Sequence, residues 1–597
     1  MRSHPTVYKL KRIETFYMDF ESGNGVTDSG RSFTCEVSTG RKRPTLKDKL
    51  DAVGHLSNQL AAEATLMFTG KVPKAEPGDD GQTRHWLLVN TGPWKVDDRG
   101  HWLATPPTGR FRHTTTGKYI EVRTAAEWFG STRLSPAQAR ETFQVLDGVL
   151  GDYFGKYLPA GAQTGLMKTP AATGANLWAA SLPSSMPLIP VEDDIAEELH
   201  ATSGQHHLEH SVAGASMDQH PDVVPMIDPK VLPKVDSFSY IDGRFMYASL
   251  CRGIGLGPGV RLNRSAAADL LRDDPYARAR YLVRFKVPDQ WHNIGIFGVQ
   301  HSELSQGWYW PNRPGAVGQT WVDASEVFVA QKFGWSVDPI EAVVFNKKMP
   351  KQRKRFYDDD HVARRGSTEA KPLDLWSKKL SEGRDSIAAD PTLPPLMKKA
   401  IGAALRAILI QTIGRFSSRG RGKTMFTDDP KTIPEQYLSS LKRMGDAYSY
   451  FVPQQMTAQQ EAFYRPELAV QVWGRGRAKT LYNRTNEQEC GALTMPGSSI
   501  IGINGDAIYS THLPQWALPT DQGGADDGKP GRLRLQGHLP DQVKTPVTRD
   551  QRDKLRDQAL ARGADVSSAD LIDQATFDFE FEYQDDRPDR FLPGEES

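Results

Sequence analysis

Cysteine is nearly missing from this 597-residue chain: Cys35, Cys251 and Cys490 are widely separated and odd in number. That excludes a disulfide framework and a structural zinc site of the CxxC type, and it fits a reducing compartment. Long hydrophobic runs are missing as well. No stretch of about 18 apolar residues could span a bilayer, and MRSHPTVYKLKRIETF holds no apolar run of the signal-peptide kind, so a soluble, cytoplasmic chain without a membrane partner is expected. Net charge is also lacking, with 74 Lys and Arg against 73 Asp and Glu. This excludes a uniformly basic nucleic-acid coat, and any nucleic-acid groove must be local. The length allows about two to four domains with a sizeable core.

What is there reads as a multidomain α/β and α+β chain. Residues 6–37 suggest two strands around SGNGVTDSG, and LKDKLDAVGHLSNQLAAEATLMF continues in a helical pattern. RHWLLV and KYIEVRTAAEWF suggest further strands, and SPAQARETFQVLDGVLGDYF is a helix with Ser135 as its N-cap and proline in the first turn. The first domain spans 1–185. Residues 186–232, rich in Pro, His, Asp and Ser, read as a linker or irregular crossing. In the second half YLVRFKVP and WHNIGIFGVQ suggest strands, whereas SEVFVAQKFGW, KPLDLWSKKLSEGRD and PLMKKAIGAALRAILIQTIGRF suggest helices, the last with one apolar and one basic face. KKMPKQRKRFYDDDHVARR is a charged loop. The tail has a strand in GRLRLQGHL, a polar helix in RDQRDKLRDQALARG and an acidic, aromatic finish.

The richest segment is SIIGINGDAIYSTHL, 499–513, which predicts two apolar strands meeting at an Asn-Gly turn with Asp506 just beyond it. Asp242 in SYIDGRFMYASL also follows a short apolar strand. Two carboxylates brought by separate strands to one point suit a pair of Mg²⁺ ions driving in-line phosphoryl transfer, with Mn²⁺ an acceptable substitute. The N–H groups of Gly243, Arg244 and Phe245 after the first strand are candidates to face a triphosphate. Taken singly, each aspartate is better explained as plain turn chemistry.

Their order along the chain resembles family-B DNA polymerases, most closely the protein-primed branch. IDGRFMYAS is similar to the family's DxxSLYP motif, matching at Asp242 and Tyr247, with Ala248 in place of proline. RAILIQTIGR resembles the fingers motif KxxxNxxYGK, putting Arg406 at the triphosphate-binding lysine and keeping Gly414, with Ile410 and Ile413 replacing asparagine and tyrosine. INGDAIYS resembles YxDTDS, so Asp506 falls on the essential second aspartate and Asn504 on the first. The likeness covers roughly residues 235–540. It implies an RNase H-like 3′–5′ exonuclease-like domain at 1–185, a palm at 233–520 with fingers helices at about 370–425, and a thumb-like region at 521–597.

The same resemblance implies binding of dNTPs by Arg406 and Lys399, with Lys398 near the same helix face, and a stacking, ribose-excluding role for Tyr247. YMDFES puts Asp19 and Glu21 two apart on an expected strand, hence on one face, like the first exonuclease motif. Asp147, one turn after Phe143, resembles the third motif; the middle motif has no counterpart, so proofreading is left open. RFSSRGRGKT and VWGRGRAKT read equally as phosphate-approaching segments or solvated loops.

The expected activity is a DNA-directed DNA polymerase using a DNA template and primer, in replication of a phage, plasmid or mobile element. Whether a terminal protein or a nucleic acid primes synthesis stays open. The alternatives are a catalytically impaired, polymerase-like DNA-binding replication protein, and a nuclease acting through the first domain.

Overall fold

The computed structural model describes residues 5–564 except 9–13, 61–63, 74–75, 78–82, 85–90, 97–108, 131–132, 163, 184–185, 187, 205–207, 215–219, 302–303, 305–306, 350–360, 362–367, 420–422, 428, 445–446 and 454–455. Most of RHWLLV, most of the charged loop 347–365, the centre of RGRGKT and the acidic finish lie outside them. The chain forms two compact units, 1–182 with 382–464, and 183–381 with 465–597.

The first unit is built on a seven-stranded sheet in the order Ser32–Thr34, Asn24–Thr27, Glu14–Asp19, Ala64–Thr69, Tyr119–Thr124, Gly109–His113, Trp94–Val96. Glu14–Asp19 and Tyr119–Thr124 both run parallel to Ala64–Thr69. Phe16, Met18, Leu66, Phe68, Ile120 and Val122 from these strands pack on Leu50 and Val53 of the helix Leu46–Leu60. ATLMF, expected to prolong that helix, is therefore a strand; a central strand with both faces covered is apolar throughout and shows no period of two. KYIEVRTAAEWF divides into the strand to Thr124 and a helix Ala125–Phe129. The helix Pro136–Phe154 starts as expected, with Ser135 and Gln138 forming a reciprocal capping box. Pro395–Phe416 is one continuous helix burying Met397, Ile401, Ala404, Leu405, Ile408, Leu409 and Ile413, a stripe at helical spacing.

The second unit holds a five-stranded sheet in the order Glu209–His210, Ile500–Asn504, Ala507–Ser510, Phe238–Gly243, Leu533–Leu539, and a four-stranded sheet in the order Val260–Leu262, Ser336–Val344, Ala279–Lys286, Val317–Asp323. Three expectations change here. Residues 186–232 are more than a linker: Asp193–Ala201 is a helix burying Ile195, Ala196 and Leu199, and Glu209–His210 joins the five-stranded sheet. WHNIGIFGVQ is irregular up to Val299–Gln300, its apolar residues buried while side chains satisfy its backbone; Asn293 Oδ1 accepts from Ile294 N–H. VWGRGRAKT belongs to a helix, Pro466–Leu481, with Arg475, Arg477 and Lys479 only 4%, 2% and 2% exposed. It is neither a solvated loop nor a free basic surface. Among the described residues no helix is long and apolar enough to cross a membrane.

Candidate active site

The hairpin closes through Asn504 opposite Ala507, leaving Gly505 and Asp506 as its two turn residues. Asp506 is thus in the turn rather than just past it. Gly505 takes φ 61°, the left-handed value that the first position of such a tight turn requires and that glycine supplies without a Cβ clash.

The strand Phe238–Gly243 pairs antiparallel with Ala507–Ser510, placing Asp242 opposite Ala507, the residue after Asp506. One residue on, Gly243 N–H donates to the Asp506 carbonyl at 3.1 Å. The Asp506 carboxylate folds back over this junction: a Cβ built on Gly243 would stand 2.7 Å from its Oδ2. Asp242 and Asp506 are 2% and 7% exposed. Two sequence-distant aspartates are therefore neighbours in their backbone positions at one end of one ladder.

This donor set fits hard divalent cations. Carboxylate oxygens are the ligands such ions take, and the hydrogen-only side of Gly243 leaves the Asp506 carboxylate its space. Among the described residues no three His, Cys, Asp or Glu side chains gather into a larger metal-holding group.

The chain is similar in structure to Phi29 DNA polymerase. Its complex with primer-template DNA and incoming nucleotide substrates has a TM-score of 0.48 at 8% identity, covering 90% of this chain and 86% of that one. The orthorhombic crystal form gives 0.45 at 8%, covering 89% and 86%. The post-translocation complex with primer-template DNA gives 0.44 at 10%, with the same coverage of 89% and 86%. No protein-family model and no curated protein matches the chain. Likeness of this degree carries no chemistry with it, so any activity must be argued from the side chains.

Around the aspartates, two expectations are corrected. Gly243 N–H and Arg244 N–H do not face open space: they donate to the carbonyls of Asp506 and Arg532, because the strand stays paired on both sides as far as Gly243. The Arg244 side chain is also committed, forking onto Asp526. Phe245 is buried with φ 45°, an uncommon, strained conformation for a bulky residue, and it starts the helix Met246–Leu250. That helix carries Tyr247, whose hydroxyl is 3.5 Å from where a Cβ on Gly505 would lie, beside the hairpin turn.

Lys399 and Arg406 lie in the first unit, on Pro395–Phe416, exposed and half-buried respectively. Lys398 Nζ donates to the Ala388 carbonyl at 3.1 Å. The acids of the first unit are dispersed in their contacts. Asp19 ends its strand, and its Oδ1 accepts from Ser22 N–H and Oγ, both at 2.8 Å. Glu21 falls in the turn that follows, so the expected shared strand face does not form, and it pairs with Arg43 at 2.6 Å on the surface. Asp147 accepts from Thr164 Oγ1 and Gly165 N–H.

Sequence reasoning missed the buried polar framework of the second unit. Arg475 donates to the Arg252 and Gly253 carbonyls, and Arg477 pairs with Glu209. Burial pushes the Glu326 carboxyl up to about 8 and that of Asp374 up to about 6. The available signal was Pro466 at a helix start followed by the apolar residues Leu468, Ala469, Val470 and Val472; Gly474 and Gly476 obscured it.

Proposed function

We propose that this chain is a DNA-directed DNA polymerase, built on the plan of protein-primed family B, that extends a primer 3′-hydroxyl with dNTPs on a DNA template in replication of a phage, plasmid or mobile element. The observation that carries this reading is the adjacency of buried Asp242, on its strand, and buried Asp506, in the turn that leads into the strand paired with it. In this reading the five-stranded sheet is the palm, the helices Asp374–Ala389 and Pro395–Phe416 belong to the fingers, and the region from 521 onward is thumb-like.

Asp242 and Asp506 would hold two Mg²⁺ or Mn²⁺ ions. Bound there, the ions would activate the primer hydroxyl and neutralise charge on the triphosphate and departing pyrophosphate. The new bond joins primer O3′ to the α-phosphorus, the bond from that phosphorus to the bridging oxygen breaks, and the hydroxyl proton is lost. The ladder that brings the two aspartates together would fix their spacing before substrate arrives; such preorganisation is where most of the rate comes from in phosphoryl transfer. Tyr247 would lie against the incoming sugar and exclude a 2′-hydroxyl by bulk. Gly243 and Arg244 are not assigned to the triphosphate, because their groups are committed within the fold.

Asp506→Asn should abolish primer extension while leaving DNA binding largely intact; extension by that variant would refute the assignment. A second reading, a polymerase-like DNA-binding replication protein with impaired catalysis, is favoured by one observation: with Asn504 in the hairpin, no third acid among the described residues joins the pair. Absence of Mg²⁺-dependent incorporation of a single labelled dNTP by the unaltered chain would favour it. For the first unit we propose a degenerate exonuclease-like domain, since Asp19, Glu21 and Asp147 each bond to different neighbours.

A further inference from the structure

The inner strand of the hairpin, Ala507–Ser510, is fixed by its ladder to Phe238–Gly243. The outer strand, Ile500–Asn504, pairs with the inner strand on one edge and on the other edge with Glu209–His210, which sets Glu209 opposite Ile503 and His210 opposite Gly502. Ser211 N–H adds one bond, to the Ile501 carbonyl at 2.9 Å. A strand of two residues is a weak hold by itself. Its side chains anchor it: His210 Nε2 lies 3.2 Å from the Val547 carbonyl, and Glu209 Oε2 accepts from Arg477 Nη2 at 3.0 Å.

Arg477 is in turn fixed by donating to the Gly295 carbonyl at 3.1 Å and the Ile296 carbonyl at 3.2 Å, with its guanidinium 5.3 Å from the centre of the Trp310 ring. Both partners are buried, Arg477 at 2% and Glu209 at 7% exposure. Three residues further along the same helix, and so on the same face, Thr480 Oγ1 lies 3.3 Å from the carbonyl of Gly505, the residue before Asp506. One helix thus meets the hairpin twice, at its tip directly and at its outer strand through the ion pair.

We propose that Glu209 and Arg477 are positioning residues for Asp506, fastening the outer side of the hairpin to the helix Pro466–Leu481 so that the Asp506 carboxylate keeps its place beside Asp242. The inference rests on the polymerase reading above. Neither residue touches substrate; loosening their pair shifts the turn, and small misplacements at a reacting centre are costly in rate.

Glu209→Gln tests this, because it keeps the size and an acceptor oxygen while removing the charge-assisted bond. The full-length variant should bind Mn²⁺, followed by loss of the free-ion electron paramagnetic resonance signal, about fivefold more weakly. Its kcat for single-nucleotide incorporation should drop about tenfold with the KM for dNTP unchanged. Arg477→Lys, which retains the charge but not the fork, should shift both quantities the same way and decides the matter if Glu209→Gln does not fold. Folded variants with unaltered Mn²⁺ affinity and kcat, beside an Asp506→Asn control that has lost both, would overturn the inference alone. An Asp506→Asn control that still incorporates nucleotide would overturn the polymerase reading, and this inference with it.

Discussion

Arg244 closes a two-pronged ion pair on Asp526, with Nε 3.0 Å from Oδ1 and Nη2 2.5 Å from Oδ2. The aspartate side chain is 3% exposed and the arginine 20%. The pair ties the residue after Gly243 to the loop that leads into Leu533–Leu539, and Gly531 N–H donating to the Arg244 carbonyl at 2.7 Å closes the same corner. Arg244→Ala would strand a buried carboxylate and should cost about 3 kcal/mol in urea unfolding, with Arg244→Lys recovering only part because it lacks the planar fork. A loss within experimental error would remove the structural role given to this arginine.

Gly243→Ala should separate the carboxylates' geometry from their chemistry. The added methyl would lie 2.7 Å from Asp506 Oδ2 and 2.5 Å from Met246 Cβ, so both must move. Overpacking of this kind costs about 1–3 kcal/mol. Incorporation of a single nucleotide should fall at least about tenfold while both acids remain; wild-type incorporation would show that Asp506 need not occupy the place described.

Glu326 gives the stability a pH dependence of defined sign. Burial pushes its carboxyl from 4.5 up to about 8, outweighing the N–H that Asp323 donates to it. Between those values the folded state keeps a proton that the unfolded chain has released, so stability falls as pH rises. Asp374, pushed up to about 6, acts in the same direction at lower pH. Glu326→Gln should therefore flatten the decline of the urea midpoint between pH 6 and 8. An unchanged slope in the variant would assign the decline to other groups.

The first unit should not degrade a mispaired 3′ end in the presence of Mg²⁺. Asp19 caps the turn at Ser22 and Glu21 pairs with Arg43 in solvent. Asp19→Ala should lower stability by about 1 kcal/mol through the lost turn bonds, and Glu21→Ala should change it by less than about 1 kcal/mol, as exposed pairs do. Degradation of a 3′-labelled mismatch by the unaltered chain, lost in Asp19→Ala, would contradict this.

Local features were legible in the residues themselves. Ser135 and Gln138 announce a capped helix, Asn504, Gly505 and Asp506 announce a tight hairpin, and the stripe from Met397 to Ile413 announces the long helix. In each case the deciding contacts lie within a few positions of one another, so a short window contains the physics. The turn was misjudged by one residue because Asn-Gly and Gly-Asp both suit a two-residue loop, and only the closing pair Asn504 with Ala507 chooses between them.

Other features depend on partners far along the chain. Arginines and glycines in VWGRGRAKT match a solvated loop until the carbonyls of Arg252, Gly253, Gly295 and Ile296 surround Arg475 and Arg477 and make burial affordable. The sequence by itself determined that Asp242 and Asp506 each end up at the tip of an apolar strand. That the tips meet was decided only by the tertiary structure, because the register between Phe238–Gly243 and Ala507–Ser510 depends on how both strands bury their faces against the rest of the second unit.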